Sequence, residues 1–199
     1  MKHHLASCGS VVAVIMVAHL GSLSGAGGSI LGKVRVTGLA SNANVVVYIQ
    51  QAPGVFKPPA KPVTMDQEKM QFNPPVLAVV LGTTVRFLNS DPTLHDVFSP
   101  DNERYNLPGW PQGQTKDYAF SECANFPCVY TQLCRLHPEM EAYIVVLQNP
   151  FFGVSKTDGS YQIDDVPPGH YVVGMWHPKL IAQSRGVTIE VGKPVVVDF

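Results

Sequence analysis

A seven-residue stretch in the second half of the chain places a thiol, an imidazole and a thioether close together. It reads CRLHPEM, so Cys134 and His137 are three residues apart and Met140 follows after three more. Two imidazoles and one thiolate in a plane, with a weak axial thioether, form the ligand set of copper sites that transfer electrons. The stretch therefore predicts three of the four ligands of a copper ion and requires one further histidine.

Beyond residue 26, three other histidines could complete this set: His95, His170 and His177. His95 stands in FLNSDPTLHDVF, directly after the strand-like run TVRFLN and a turn. That position puts it at a strand end, where a β-sandwich gathers its loops. We therefore expect His95 to be the missing ligand, and we expect His170 and His177 to be structural.

The elements that must position these ligands are predicted to be β-strands nearly throughout. Short runs rich in Val, Ile and Tyr, several of them alternating, recur along the chain, and 17 Gly and 17 Pro supply the turns between them. No long stretch has an apolar period of 3.6 residues. The pattern predicts an all-β sandwich or barrel, with residues 99–114 (SPDNERYNLPGWPQGQ) as its longest irregular segment.

Composition and the N-terminus narrow the class of protein further. The 199-residue chain has a formal net charge of −1 and no block of Lys or Arg, which argues against a nucleic-acid partner. Residues 1–26 have the pattern of a signal peptide: a short basic start, the apolar run VVAVIMVAHLGSL, then small residues. We expect an exported, periplasmic protein without a membrane span in its mature chain.

The cysteines are consistent with this location. Removing the signal peptide removes Cys8 and leaves Cys123, Cys128 and Cys134. Cys123 and Cys128 bracket the four-residue turn ANFP between two runs that suggest an antiparallel hairpin, TKDYAFSE and VYTQL. We expect these two residues to form a disulfide, which leaves Cys134 free for the metal.

Two longer motifs resemble the small blue copper proteins, the cupredoxins. VYTQLCRLHPEM is similar to the last strand and ligand loop of that family, with the short Cys-x2-His-x2-Met spacing of amicyanin-like members. GTTVRFLNSDPTLHDVF resembles the strand that ends in Asn, here Asn89, with a ligand histidine six residues later. Further stretches between residues 65 and 152 resemble exported methylamine-utilisation-type cupredoxins.

The resemblance implies a Greek-key β-sandwich that holds one type 1 copper ion and exchanges single electrons with transient redox protein partners. The implied ligands are His95, Cys134, His137 and Met140. One departure stands beside the first ligand, where cupredoxins usually carry Asn and this chain has Asp96. An ionised carboxylate can only accept hydrogen bonds, and its charge would favour Cu(II) and lower the reduction potential.

A second resemblance concerns the flanks of the copper-site region. SKTDGSYQIDDVPPGHYVVGMWHPKL resembles the carboxypeptidase regulatory-like module, a small β-sandwich, and the runs ILGKVRVTG and NVVVYIQ supply that module's first strands. We therefore expect a signal peptide at 1–26, a cupredoxin domain at 57–151, and a second sandwich assembled from 27–56 and 152–199.

Other interpretations of the same residues remain open at this point. Zinc could use the three cysteines and His137, although their spacing differs from that of zinc ribbons. Cys134 could be a catalytic nucleophile, but no acid orients its neighbouring histidine. Glu139 or Glu141 could replace Met140. The sequence favours an electron carrier that is not an enzyme; the alternatives are a non-redox copper carrier and a β-sandwich binding module.

Overall fold

A computed structural model describes residues 27–199, so the expected signal peptide lies outside the described residues. This part of the chain contains strands and no helix, and therefore no helix that could span a membrane. The strands are β1 (Gly28–Lys33), β2 (Val46–Ile49), β3 (Val63–Glu68), β4 (Gln71–Asn73), β5 (Val76–Val80), β6 (Thr84–Asn89), β7 (His95–Ser99), β8 (Tyr105–Trp110), β9 (Thr115–Ala119), β10 (Cys128–Leu133), β11 (Glu141–Leu147), β12 (Phe152–Val154), β13 (Ser160–Val166), β14 (Gly169–Trp176), β15 (Gln183–Ile189) and β16 (Pro194–Val196).

The middle of the chain forms the larger of two β-sandwiches. One sheet has the strand order β4-β3-β6-β9 and the other has the order β5-β11-β10-β7-β8. Side chains alternate between the two faces of a strand, and β10 follows this rule: Cys128, Tyr130 and Gln132 are buried while the residues between them are half-buried. The core between the sheets is rich in aromatic rings and includes both Cys134 and Met140.

The two ends of the chain form the smaller sandwich together. One sheet has the order β13-β1-β16 and the other has the order β12-β2-β14-β15. The N-terminal strands β1 and β2 therefore hydrogen-bond to C-terminal strands in both sheets. Ile30, Val47, Ile163 and Val173 lie in the core between them. The expected all-β fold with two sandwiches is confirmed.

A third apolar layer joins the two sandwiches face to face. Val46 and Tyr48 of β2 pack with Val145 and Leu147 of β11, whereas the alternate residues of each strand face their own sandwich core. Strands buried on both faces are apolar at nearly every position, which explains the continuous runs NVVVYI and YIVVL. The four sheets therefore form one stack with three apolar cores.

Two local expectations were wrong. Residues 99–114 are not irregular throughout, because β8 lies within them and pairs with β7 at the edge of the sheet; Pro108 is tolerated there since an edge strand has one unpaired side. β9 and β10 do not form a hairpin, since β9 pairs with β6 in one sheet and β10 pairs with β7 and β11 in the other.

The Cys123–Cys128 disulfide nevertheless forms, within the loop that crosses from one sheet to the other. The Cα atoms of its two cysteines are 5.6 Å apart, a separation typical of disulfides. Among the described cysteines, Cys134 alone is free, and it is buried.

Candidate metal centre

The strands β7 and β10 bring the two halves of the candidate site to the same edge of one sheet. β7 begins at His95, and β10 ends at Leu133, one residue before Cys134. The two strands run antiparallel, with Leu133 opposite Phe98. In an antiparallel pair the start of one strand lies beside the end of the other, so the first histidine and the CRLHPEM loop meet there.

Three of the expected ligands converge with their donor atoms close together. The Nδ1 atoms of His95 and His137 are 3.0 Å apart, and the Sγ atom of Cys134 lies 3.9 Å from the first and 3.7 Å from the second. His95 and Cys134 are buried, while His137 is half-buried. The site thus combines two buried ligands with one that is partly exposed at the surface.

Met140 ends the CRLHPEM loop that carries Cys134 and His137. Its backbone N–H donates to the carbonyl of His137 at 3.0 Å, and its side chain is buried in the same core as Cys134. Glu139 and Glu141, the other candidates for this position, are exposed. Met140 is thus the candidate that is buried in the same core as Cys134.

The two remaining histidines lie in the smaller sandwich, away from this group. His170 is exposed, and its Nδ1 lies 2.9 Å from the hydroxyl of Thr188. His177 contacts the backbone N–H of Lys179 through its own Nδ1. Neither takes part in the group formed by His95, Cys134 and His137.

Asp91 holds the first histidine in place, and the sequence interpretation missed it. Its carboxylate lies 2.9 Å from Nε2 of His95 and accepts the backbone N–H groups of Lys69 and Met70. Burial alone would raise the pKa of Asp91, but the hydrogen bonds from Met70, His95 and Lys69 lower it. A carboxylate on one imidazole nitrogen fixes the tautomer and directs the other nitrogen to the metal.

Asp96 connects the first histidine's strand to the cysteine loop, although it cannot donate. One carboxylate oxygen accepts the backbone N–H of Arg135 at 2.8 Å and that of Leu136 at 3.4 Å, and it lies 3.1 Å from Sγ of Cys134. The other oxygen lies 3.3 Å from the Arg135 guanidinium. The link between the loops is therefore made by backbone donors of the loop itself.

The donor set of this site fits copper. Soft sulfur and neutral imidazole are the ligands that copper sites of this type use, and the second nitrogen of His95 is held by a carboxylate. Burial raises the pKa of the Cys134 thiol. Since a metal binds the thiolate, copper would have to displace this proton, and its affinity for the site would depend on pH.

The structure also bears on the two competing chemistries. A zinc site built from three cysteines is contradicted, because Cys123 and Cys128 are joined to each other. Catalytic cysteines are partly exposed and have a lowered pKa; Cys134 is 2% exposed and its pKa is raised. Neither alternative agrees with the surroundings of these residues.

Comparison with known proteins gives similarity at the level of solved structures. No protein-family model matches the chain, and no curated protein sequence matches it. A Cu-containing nitrite reductase from Thermus scotoductus is 28% identical over 50% of this chain, with a TM-score of 0.41. A Cu(I) amicyanin variant is 25% identical over 43% of this chain, with a TM-score of 0.39.

A purple cupredoxin from Nitrosopumilus maritimus is 23% identical over 42% of this chain, with a TM-score of 0.38. The chain spans 25% of the length of the nitrite reductase, 81% of the amicyanin variant and 98% of the purple cupredoxin.

Proposed function

We propose that this protein binds one copper ion and carries single electrons between redox partners. The observation that supports this proposal most directly is the convergence of His95 Nδ1, Cys134 Sγ and His137 Nδ1, of which His95 and Cys134 are buried, with Met140 buried in the same core as Cys134. These residues would hold the ion as a type 1 site. When bound, copper would supply a one-electron couple between Cu(I) and Cu(II).

The protein's own part in this function is to keep the ligands fixed. Asp91 orients His95, and Asp96 holds the backbone of Arg135 and Leu136 against β7. Strand pairing and a packed core also keep β7 and β10, which position His95 and Cys134, from moving. Preorganised ligands change little between two oxidation states, so the reorganisation that accompanies electron transfer is small.

The half-buried His137 offers the route to a partner. Leu136 beside it is 53% exposed, and Leu94, next to His95, is 51% exposed. Exposed Pro138 extends this apolar rim. We propose that a redox protein docks here briefly, since electron-transfer encounters use small interfaces.

The cellular setting and domain limits are part of the same proposal. We propose that the chain is exported to the periplasm, that residues 57–151 form the copper domain, and that residues 27–56 and 152–199 form a second domain. Strand pairing between the two ends of the chain supports this division. In this proposal the protein acts as a carrier and not as an enzyme.

Voltammetry of the copper-loaded protein tests electron transfer. We expect a reversible one-electron wave and rapid exchange with a soluble mediator, with copper retained in both oxidation states. Release of copper on reduction, or the absence of a reversible wave, would favour a non-redox copper carrier instead.

A further inference from the structure

Four aromatic side chains form a continuous cluster in the larger sandwich. The rings of Tyr105 and Tyr118 are stacked, with centroids 3.9 Å apart. Tyr118 contacts Phe120 at 5.1 Å, and Phe120 contacts Tyr130 at 4.9 Å. Of these, Tyr118 is half-buried and so lies nearest the solvent.

A single carboxylate accepts hydrogen bonds from two of these phenols. Glu103 accepts the Tyr118 hydroxyl at 3.2 Å through one oxygen and the Tyr130 hydroxyl through the other. Burial, with the charge of Glu103, raises the pKa of Tyr118 to about 12. The phenol is therefore neutral at ordinary pH and directs its proton at a carboxylate.

The inner end of the cluster connects to the metal centre through β10. The Tyr105 hydroxyl donates to the side-chain carbonyl of Gln132, which is fully buried. Gln132 is two residues before Cys134, and side chains two apart on a strand share a face. A hydrogen bond and a short covalent path thus separate Tyr105 from the thiol.

The outer end of the cluster lies away from His137. β7 begins at His95 and ends at Ser99, and Glu103 stands in the turn that follows. Four residue steps along a strand cover about 13 Å, so this turn lies at the opposite end of the strand. A small cleft there is lined in part by two acidic residues, Glu103 and Glu122.

We propose that Tyr118 is a redox-active tyrosine, with Glu103 as its proton acceptor and with Tyr105 and Gln132 linking it to Cys134. This inference rests on the proposed function. It adds a second electron route to the surface, distinct from the one at His137, and a positively charged one-electron oxidant is the partner that suits the two glutamates of the cleft.

The proposed oxidation of Tyr118 moves one electron and one proton. Tyr118 gives one electron to the oxidant, and its hydroxyl proton passes to Glu103, which leaves a neutral tyrosyl radical and a protonated carboxyl. The electron that reduces the radical would come from the Cys134 site, where bound copper would supply it as a one-electron reductant, and Glu103 returns the proton. Tyr105 serves as the bridge between the two and loses no proton.

Photogenerated tris(bipyridine)ruthenium(III) is a suitable probe, because it is a cationic one-electron oxidant. In the metal-free protein we expect a tyrosyl radical, seen by electron paramagnetic resonance and by its near-ultraviolet band, that Tyr118→Phe abolishes. Tyr143→Phe is the matched control, since Tyr143 also donates to a glutamate, Glu141, but contacts only Trp176 among the aromatic rings.

A second pair of variants tests the proton acceptor. Glu103→Gln removes the acceptor and should slow radical formation several-fold. Glu122→Gln removes the same charge from the same cleft, but the Glu122 side chain makes no hydrogen bond to a phenol. This substitution should therefore only weaken the electrostatic attraction between the protein and the cationic probe. Equal effects of the two substitutions would overturn the role of Glu103.

The link to Cys134 is tested in the reduced, copper-loaded protein. There the radical should decay several-fold faster than in the metal-free protein, and Gln132→Leu should restore the slower decay. A radical that survives Tyr118→Phe unchanged, or a decay that copper does not alter, would overturn the proposal. A copper-loaded protein without a thiolate absorption band would instead contradict the proposed function and leave the metal-free result standing.

Discussion

At the scale of single residues, two aspartates hold the first histidine and the cysteine loop. Asp91 binds the imidazole nitrogen of His95 that faces away from the site, and Asp96 binds backbone N–H groups next to Cys134. Both carboxylates bring negative charge near the metal position. Negative charge stabilises Cu(II) over Cu(I), so the two residues together should keep the reduction potential low.

Asp96→Asn should raise the reduction potential while the protein still binds copper. The amide oxygen can still accept the N–H of Arg135, so the loop stays linked, but the negative charge 3.1 Å from Sγ is lost. The Coulomb energy of two unit charges at about 4 Å is roughly 1 kcal/mol in water and roughly 4 kcal/mol at an effective dielectric of about 20. The ion pair with Arg135 reduces the effect.

Voltammetry of this variant should be compared with Glu139→Gln, which removes an exposed charge from the same loop. We expect the second substitution to change the potential far less. Equal shifts would mean that the net charge of the loop, and not the contact with Cys134, sets the potential.

Asp91→Asn should weaken copper binding. An amide cannot accept the two backbone N–H groups and the imidazole together, because one of its two ends donates. Loss of a residue that orients a metal-bound histidine typically costs about 10–100-fold in affinity. Competition with a chelator measures the loss. Asp66→Asn is the control, since Asp66 binds the hydroxyl of Ser90 and a backbone N–H but no imidazole; an equal loss there would contradict the assignment.

Sequence alone predicted the four residues of the candidate site but not Asp91. Cys134, His137 and Met140 stand close together in the chain, so their donor types and their spacing were enough to predict them as ligands. Asp91 lies in an irregular turn between β6 and β7, where the direction of a side chain depends on backbone angles and on the N–H groups of Lys69 and Met70. No short-range pattern encodes that contact.

At the scale of elements, strand alternation was predictable but strand partners were not. In β10, Cys128, Tyr130 and Gln132 are buried, and Cys134, one residue past the end of the strand, is buried as well. The predicted hairpin between β9 and β10 was wrong. The prediction relied on their proximity in the chain, whereas β9 pairs with β6 in one sheet and β10 pairs with β11 in the other. Cys123 and Cys128 still come together because only four residues separate them in the loop that connects the two sheets.

The turn at Asp158 and Gly159 in the smaller sandwich provides a prediction at this scale. Gly159 has a φ of 82°, and a Cβ atom added to it would lie 2.1 Å from the carbonyl oxygen of Val34. Gly159→Ala should therefore lower the free energy of unfolding by about 1–3 kcal/mol from backbone strain alone, with a further cost from the clash.

Denaturant unfolding measures this loss. Gly186→Ala is the matched control, since a Cβ atom there meets nothing within 4 Å and its backbone is extended within β15. It should leave stability nearly unchanged. Similar losses in both variants would contradict the account of the turn.

At the scale of the whole molecule, three apolar cores hold four sheets in one stack. The central core, in which Val46 and Tyr48 meet Val145 and Leu147, belongs to both sandwiches. The sequence indicated two sandwiches and predicted that the ends of the chain meet. It gave no indication that the sandwiches share a face, because an apolar run does not reveal which surface covers each side of a strand.

Deleting residues 153–199 should expose much of this apolar surface. The truncated chain loses the partners of β1 and β2, so it should associate with itself and unfold at a lower denaturant concentration than the full chain. Large exposed apolar patches promote association. Light scattering and unfolding curves measure both effects, and a monomeric truncated protein of unchanged stability would show that the two sandwiches are independent.

The visible absorption spectrum of the Cu(II)-loaded protein tests the central claim most directly. If Cys134, His95 and His137 hold copper as proposed, the spectrum has an intense thiolate-to-copper band that Cys134→Ser abolishes. A colourless protein with confirmed bound copper, or a band that persists in Cys134→Ser, would contradict the account.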